Sequence, residues 1–423
     1  MMRAPEIAFF PEASFGAALN CVGIAQELQR QGANPVFICH AGFTGVFAEY
    51  GFKEYHLPEH PGSSAEAIAD YWQEFINTHL PHFDLSPLEQ LPTYVGPTWR
   101  AIVETAIAAE GDLAGLLAQI RPDAIVLDNV IMFPAIANAG CPWVRIVSCA
   151  ETEISGVGVP PYLSGLAPGD DTGAFNTAYA AATRDVHRHY NAFRKRHGLT
   201  ALPPGTFLES SPDLNLLLAP QAVRYERAEP LNAACFVFLE GCVRRESDYE
   251  LPRFAVDGGP LVYVGFGSLG AVDTALIKRM LLVFQTIPAR FLVNVGGLIE
   301  AYDVVPDNVH LASWFPQPSV IEQASLVIHH GGNNSFCEAL YHGVPSLVMP
   351  YCWDGHDNAQ RAQDVGVGRR INRAGWTDAS LRVAIMDLLE DAPMRRHLAD
   401  VARDMQSYPG TSRAAREILQ LLD

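Results

Sequence analysis

Positive charge is scarce in this chain. Its 423 residues carry 29 Lys and Arg against 47 Asp and Glu, a formal charge of −18, so bulk attraction to nucleic acid or an anionic membrane is excluded. A local pocket for one phosphate group is still compatible with that balance. Long apolar runs are missing too: none approaches the roughly 20 residues that a transmembrane helix needs. The opening stretch "MMRAPEIAFFPEASFG" holds one basic residue and interrupts its apolar run at Glu6, Pro11 and Glu12, so it does not read as a secretory signal. The eight cysteines, at 21, 39, 141, 149, 235, 242, 337 and 352, contain no CxxC pair. That spacing argues against a zinc ribbon or a disulfide framework and for a reducing compartment, with the cytoplasm as the expected location. Tandem repeats and low-complexity tracts are absent.

What the chain does contain is apolar sequence in short, regular runs. It is 49% hydrophobic and 18% charged, a globular composition, and too long for one compact core. "EIAFF" opens a strand, "GAALNCVGIAQELQRQG" keeps helical spacing as far as Gly32, and "PVFIC" reads as a second strand. "DAIVLD" and "WVRIVS" then flank a helical "VIMFPAIANAG". After about residue 225 the pattern pauses in a segment rich in charge and turn residues, then restarts with "LVYVGFGS", "ARFLVNVG", "NVHLAS", "SLVIHHGG" and "PSLVMP". Such alternation predicts an α/β chain of two doubly wound, Rossmann-like domains facing a cleft. We place them at 1–228 and 229–400. Ligands of such sheets bind beyond the carboxyl ends of the strands, which makes the cleft the expected site.

The most polar cluster is "IHHGGNNSFCEALYHG", residues 328–343. A strand runs into Gly331 and Gly332, and a helix is expected from about Asn334 or Ser335 to Gly343, with Pro345 barring its continuation. Ser335 and Glu338 form S-x-x-E, a capping box that needs no ligand. That reading leaves His330, the glycine pair, Asn333 and Asn334 without a role. Glycines admit a ligand close to the backbone, and free N–H groups at a helix start attract phosphate oxygens. A cradle for an anion is the fuller reading.

Upstream stands "SWFPQPS", residues 313–319, and downstream "GVPSLVMPYCWDGHDNAQRAQDVGVG", residues 343–368. With the cluster, these segments resemble the nucleotide-sugar signature of family 1 glycosyltransferases: W-x-P-Q, then HxGxNSxxEAxxxGVPxxxxPxxxDQxxNA, then G-x-G. "VYVGFGS" at 262–268 is similar to the first C-terminal strand and loop of that family. The resemblance implies a GT-B architecture, an N-terminal acceptor domain, a C-terminal domain for a UDP-sugar, and a last helix within 401–423 crossing back to the N-terminal domain. It implies that Trp314 stacks on uracil and Gln317 meets the nucleoside. His330, Gly332, Asn334, Ser335 and the loop at Ser268 would hold the diphosphate, Glu338 the ribose hydroxyls, and Asp354 the sugar. No DxD pair follows a strand, so the helix start would stand in for a divalent cation. Asp354, His356 and Asp357 could be pictured as metal ligands, but the family frame accounts for two of them without one. No metal and no cofactor are expected, the UDP-sugar being a co-substrate.

The family pattern fails at two places. Its D-Q becomes Asp354–Gly355, which removes a glutamine that reads sugar hydroxyls. Its first loop, G-H-x-x-P, becomes "SFGAALN" at 14–20, with Ala17 where the histidine that deprotonates the acceptor would stand. Replacement bases are Asp128, which closes "DAIVLD", and Glu12 or Asn20 near the loop. Asp128 reads equally well as a strand-end residue bonded to nearby N–H groups, and His40 and His56 read as loop histidines. Tyr71, Trp72, Phe75 and Phe83, within residues 68–84, suggest an apolar or aromatic acceptor, although such residues more often form core.

The activity expected is an inverting, metal-independent transfer of a hexose from a UDP-sugar to a small hydrophobic or phenolic acceptor, a natural product or xenobiotic. No nucleic acid or stable membrane association is expected. Two rivals stand beside it: a nucleotide-sugar epimerase of the same layout, and an inactive UDP-sugar-binding protein, which Ala17 encourages. The sugar, the acceptor, the bond formed (O-, N- or C-glycosidic) and the oligomeric state are not legible.

Overall fold

A computed structural model describes residues 3–12, 14–58, 74–256 and 258–423. Two parallel sheets carry the architecture. The first holds β1 (Glu6–Pro11), β2 (Asn34–Cys39), β3 (Lys53–His56), β4 (Ala124–Asp128), β5 (Trp143–Val147), β6 (Leu214–Leu217) and β7 (Phe236–Phe238), in the order β3-β2-β1-β4-β5-β6-β7. The second holds β8 (Leu261–Gly265), β9 (Arg290–Asn294), β10 (Val309–Ala312), β11 (Leu326–His329), β12 (Ser346–Val348) and β13 (Gly368–Arg370), in the order β10-β9-β8-β11-β12-β13. The central strands are buried on both faces, which is why they read as unbroken apolar runs.

Strand order reverses between β1 and β4 in the first sheet and between β8 and β11 in the second. A crevice opens beyond the strands at each such point. Glu12 and Asp128 stand at the first reversal, Gly265 to Gly267 and His330 at the second, so the two topologies aim their chemistry-bearing residues at the cleft between the domains.

The main helices are α1 (Phe15–Arg30), α2 (Gly96–Ile120), α3 (Gly173–Arg196), α4 (Thr274–Phe284), α5 (Gln317–Ile321), α6 (Asn333–Tyr341), α7 (Gly355–Asp364), α8 (Asp378–Glu390), α9 (Ala392–Ser407) and α10 (Gly410–Gln420). The helix expected in 130–140 shrinks to one turn, Pro134–Ala137. Pro134 opens that turn, Gly140 leaves the chain at φ 78°, and Val130 to Phe133 are buried as core instead.

The last strand of the first sheet, β7, lies beyond residue 228, so the first domain runs further than the drop in periodicity suggested. Helix α9 packs on the second domain, where Leu398 and Met405 join Phe336 and Leu340. Helix α10 packs on α1 instead: Ala414, Ala415 and Ile418 share a core with Cys21, Ile24 and Leu28, and the Ser412 hydroxyl donates to Glu27 at 3.1 Å. Among the described residues, no helix is long and apolar enough to cross a membrane.

Candidate active site

Helix α6 starts at Asn333, one residue earlier than the expected Asn334, and the capping box is not there. Its N-cap is Gly332, which has no side chain to offer. Ser335 sits inside the helix, its hydroxyl accepting from Gln317 Nε2 at 3.0 Å. Tertiary partners have therefore claimed both residues of the S-x-x-E pattern. The Asn333 N–H donates to Asp354 Oδ2 at 3.2 Å, while no described residue accepts from the N–H groups of Asn334 and Ser335. Those two donors, with the positive end of the helix dipole, are free for an anion.

His330 forms one wall of this cradle. Its ring stacks on Tyr351 at 5.0 Å between centroids, tilted by 24°. Two glycines make room for it: a Cβ on Gly332 would fall 2.5 Å from His330 Nε2, and a Cβ on Gly267 2.9 Å from Cε1. Gly332 thus serves the cradle by what it lacks. Burial pushes His330 down to about 4, against the opposing pull of the Gly265 backbone, so near pH 7 the ring is neutral. Ser268, next to Gly267, is exposed in a short helical turn.

Gly355, where the family has glutamine, opens α7 in tight contact with the cradle. A Cβ there would lie 2.5 Å from the His330 carbonyl oxygen, and a Cβ on Gly331 would lie 2.5 Å from the Gly355 oxygen. The two backbone segments touch, and a side chain at 355 would have to part them. Asp354, just before, accepts from Asn333 N and from Asn358 Nδ2 at 3.1 Å. Burial pushes its carboxyl well up, with the Asn333 N–H pulling the other way and Glu153 and Asp357 adding to the rise.

The side expected to meet the nucleoside has an exposed and a buried aromatic in succession. Phe315 is 2% exposed and anchored edge-on to Tyr263 at 5.7 Å, which leaves Trp314 outside at 55%. Gln317 is fully engaged within the protein: Oε1 accepts from the Tyr263 hydroxyl at 3.0 Å, and Nε2 donates to Ser335 and, at 2.5 Å, to Glu338 Oε2. Glu338 is 0% exposed, and its other oxygen pairs with Arg244 Nη1 at 2.7 Å. Burial raises the Glu338 carboxyl, and Arg244 and Gln317 oppose that. Glu338 keeps acceptor capacity beside these bonds, but at 0% exposure it can meet a ribose only if the cluster opens, and both hydrogens of the Gln317 amide are already donated. Arg244 was invisible to sequence reasoning. It lies in the charge-rich stretch between the sheets, and nothing local distinguishes it from Arg245.

The facing wall belongs to the first domain. Glu12, Asp128, Asn129, Ser148, Cys149 and Glu153 line a small cleft at the β1/β4 reversal. Asp128 is 2% exposed, accepts from the Ser148 hydroxyl at 2.6 Å, and is pushed well up by burial, with Glu153 and Glu12 adding to the rise. Glu12 is raised to about 7 by burial and by Glu153. Glu153, the third carboxylate, went unnoticed in the sequence. It pairs with buried Arg145 at 2.6 Å. Asn20 is 4% exposed within α1 and does not line this cleft, and Ala17 is 6% exposed on the same helix.

The domains are tied across the site by polar bonds. Asp357 accepts from the Thr152 hydroxyl at 2.7 Å and from the Leu163 and Gly165 N–H groups at 2.8 and 2.7 Å. His356 Nε2 lies 3.2 Å from Gln90 Oε1, and Asn358 donates to the Cys149 carbonyl at 3.0 Å. Asp354, His356 and Asp357 thus point to three different partners rather than to one shared point. Phe83 of the first domain meets Tyr351 of the second at 4.8 Å, behind His330. Tyr71 and Trp72 lie outside the described residues.

Residues 294–421 match the family model for the C-terminal domain of erythromycin biosynthesis protein CIII-like proteins. The chain is 26% identical to the oleandomycin glycosyltransferase of Streptomyces antibioticus over 322 residues, 75% of this chain and 72% of the relative. It is 27% identical to the NDP-glycosyltransferase YjiC of Bacillus subtilis over 207 residues, spanning about half of that relative (52%). In architecture it is similar to the glycotransferase of kitacinnamycin, with a TM-score of 0.73 at 20% identity and full coverage of both chains. It is also similar to the spinosyn rhamnosyltransferase SpnG complexed with thymidine diphosphate, at 0.66 and 16% over 98% of this chain and 100% of the other. The matched C-terminal domain, the glycosyltransferase relatives and the two facing sheets agree: the chain is a glycosyltransferase of GT-B fold, similar to family 1.

Proposed function

We propose that the protein moves a hexose from a UDP-sugar to a small hydrophobic or phenolic acceptor, a natural product or a xenobiotic, with inversion and without a metal. One observation carries the reading: the uncapped start of α6, flanked by neutral His330 and exposed Ser268, opens at the strand reversal of the second sheet. Backbone N–H groups fixed at that point stabilise the charge that builds on a departing diphosphate. Trp314 supplies a face for the base, and Asp354 holds sugar hydroxyls between the two walls. Displacement at the anomeric carbon from the side of the first domain gives inversion. The eight unpaired cysteines support a reducing, cytoplasmic setting.

SpnG is complexed with thymidine diphosphate, so the donor base is tested rather than assumed. UDP- and TDP-sugars incubated with phenolic acceptors, with products read by mass, decide both donor and reaction. Acceptor gain of one hexose mass supports the proposal. Sugar isomerised without acceptor supports the epimerase reading, and nucleotide binding without turnover supports an inactive binder.

A further inference from the structure

We propose that Glu12 is the catalytic base, its carboxylate taking the acceptor proton in place of the histidine that the first loop lacks. The inference rests on the transferase reading above. Pro11 and Asp128 are register partners on β1 and β4, and the Glu12 N–H donates to the Asp128 carbonyl at 2.7 Å. That bond plants Glu12 at the strand reversal, on the wall that faces Asp354.

Three carboxylates line this cleft, and two are committed elsewhere. Asp128 Oδ1 accepts from Ser148 at 2.6 Å, and Oδ2 faces the Cys21 thiol at 3.9 Å. Glu153 is held by Arg145 and by the Cys149 N–H at 2.9 Å. The Glu12 carboxylate hydrogen-bonds to none of the described residues and stays partly exposed. It alone of the three is open to an acceptor hydroxyl.

The electrostatics agree with the geometry. Among the described residues, Asp128, Glu153 and Cys149 line the cleft with Glu12; Arg145, the cation that acts on Asp128, is already paired to Glu153, and Asp354 lies across the cleft. Burial and Glu153 lift Glu12 to about 7, the range in which a histidine base works. Burial lifts Asp128 as well, so what separates the two carboxylates is geometry: the Asp128 oxygens already face Ser148 and Cys21. In the step, the acceptor O–H proton passes to Glu12 Oε as the oxygen lone pair bonds to the anomeric carbon. The bond from that carbon to the diphosphate oxygen breaks, its electron pair leaving with the diphosphate, and Glu12 later returns the proton to solvent.

The test is a pH profile of kcat/KM with phenols of graded acidity. For wild type, kcat/KM should rise through about pH 7, as a base of that pKa ionises. Glu12→Gln should lose that rise and at least about a hundredfold in rate with weakly acidic phenols, less with acidic ones. Glu12→Asp should keep the rise at reduced rate, and UDP should shift the melting temperature of all variants equally. A Glu12→Gln rate within about tenfold of wild type, below the range of a general base, would overturn the proposal. So would a rise that survives in Glu12→Gln and disappears in Asp128→Asn. If wild type shows neither a UDP shift nor transfer, the donor reading has failed, whereas a UDP shift with transfer intact in Glu12→Gln sinks only this base.

Discussion

Arg244 and Glu338, 94 residues apart in sequence, form a buried ion pair at 2.7 Å with side chains 3% and 0% exposed. The arginine leaves the segment between the two sheets and neutralises a carboxylate in the heart of the second domain. Gln317 completes the arrangement from the other side at 2.5 Å. Arg244→Met should therefore destabilise the protein by about 3–5 kcal/mol, because it strands a buried charge. Adding Glu338→Gln to that variant should recover part of the loss. Urea unfolding of the two variants measures both numbers; equal stability of Arg244→Met and wild type would mean that the pair is not formed.

Trp314 separates binding from folding. At 55% exposure it supports no core, so Trp314→Ala should change stability by no more than about 0.5 kcal/mol. Protection by millimolar UDP should fall by on the order of 1–3 kcal/mol, the worth of a base stacked on an aromatic. His330→Ala should differ by costing stability as well, since its ring packs on Tyr351. Thermal melts with and without UDP read all of these outcomes.

Gly355 gives a prediction opposite to the simple restoration of a family residue. Gly355→Gln should not add sugar recognition, because its Cβ would lie 2.5 Å from the His330 oxygen. Parting those segments should cost about 1–3 kcal/mol and weaken UDP protection. Tighter donor binding in Gly355→Gln would contradict the packing described here.

Glu12 also has a signature in stability. Its folded pKa of about 7 lies above the ordinary 4.5, so its favourable contribution is complete below pH 4.5 and is lost as pH rises through 7. Glu12→Gln carries no such charge. Its stability relative to wild type should therefore grow from pH 5 to pH 8 and level off above that. Unfolding both proteins at several pH values checks the sign, and a difference that shrinks toward pH 8 would contradict a raised pKa.

The parts legible in the sequence were those that chemistry makes local. Strands buried on both faces announce themselves as apolar runs, and the cradle residues 330–335 are neighbours in the chain. The capping box was misread because Ser335 and Glu338 satisfy a local pattern while their partners, Gln317 and Arg244, come from elsewhere. Glu153 was missed, and Asp357 was read only as a conceivable metal ligand, for the same reason: their roles are set by Arg145 and by the Thr152–Gly165 segment, brought near only by the fold. The helix expected at 130–140 failed because Pro134 and Gly140 left it a single turn.

The central claim, donor-dependent transfer across the cleft, is tested most directly by mass detection of glycosylated product. Wild type is incubated with a UDP- or TDP-sugar and a phenol, and with the nucleotide sugar alone. The account predicts an acceptor heavier by one hexose, nucleoside diphosphate released in equal amount, and little donor turnover when the acceptor is left out. Donor turnover at the same rate without acceptor, or a complete absence of glycosylated product beside clear nucleotide binding, would contradict it.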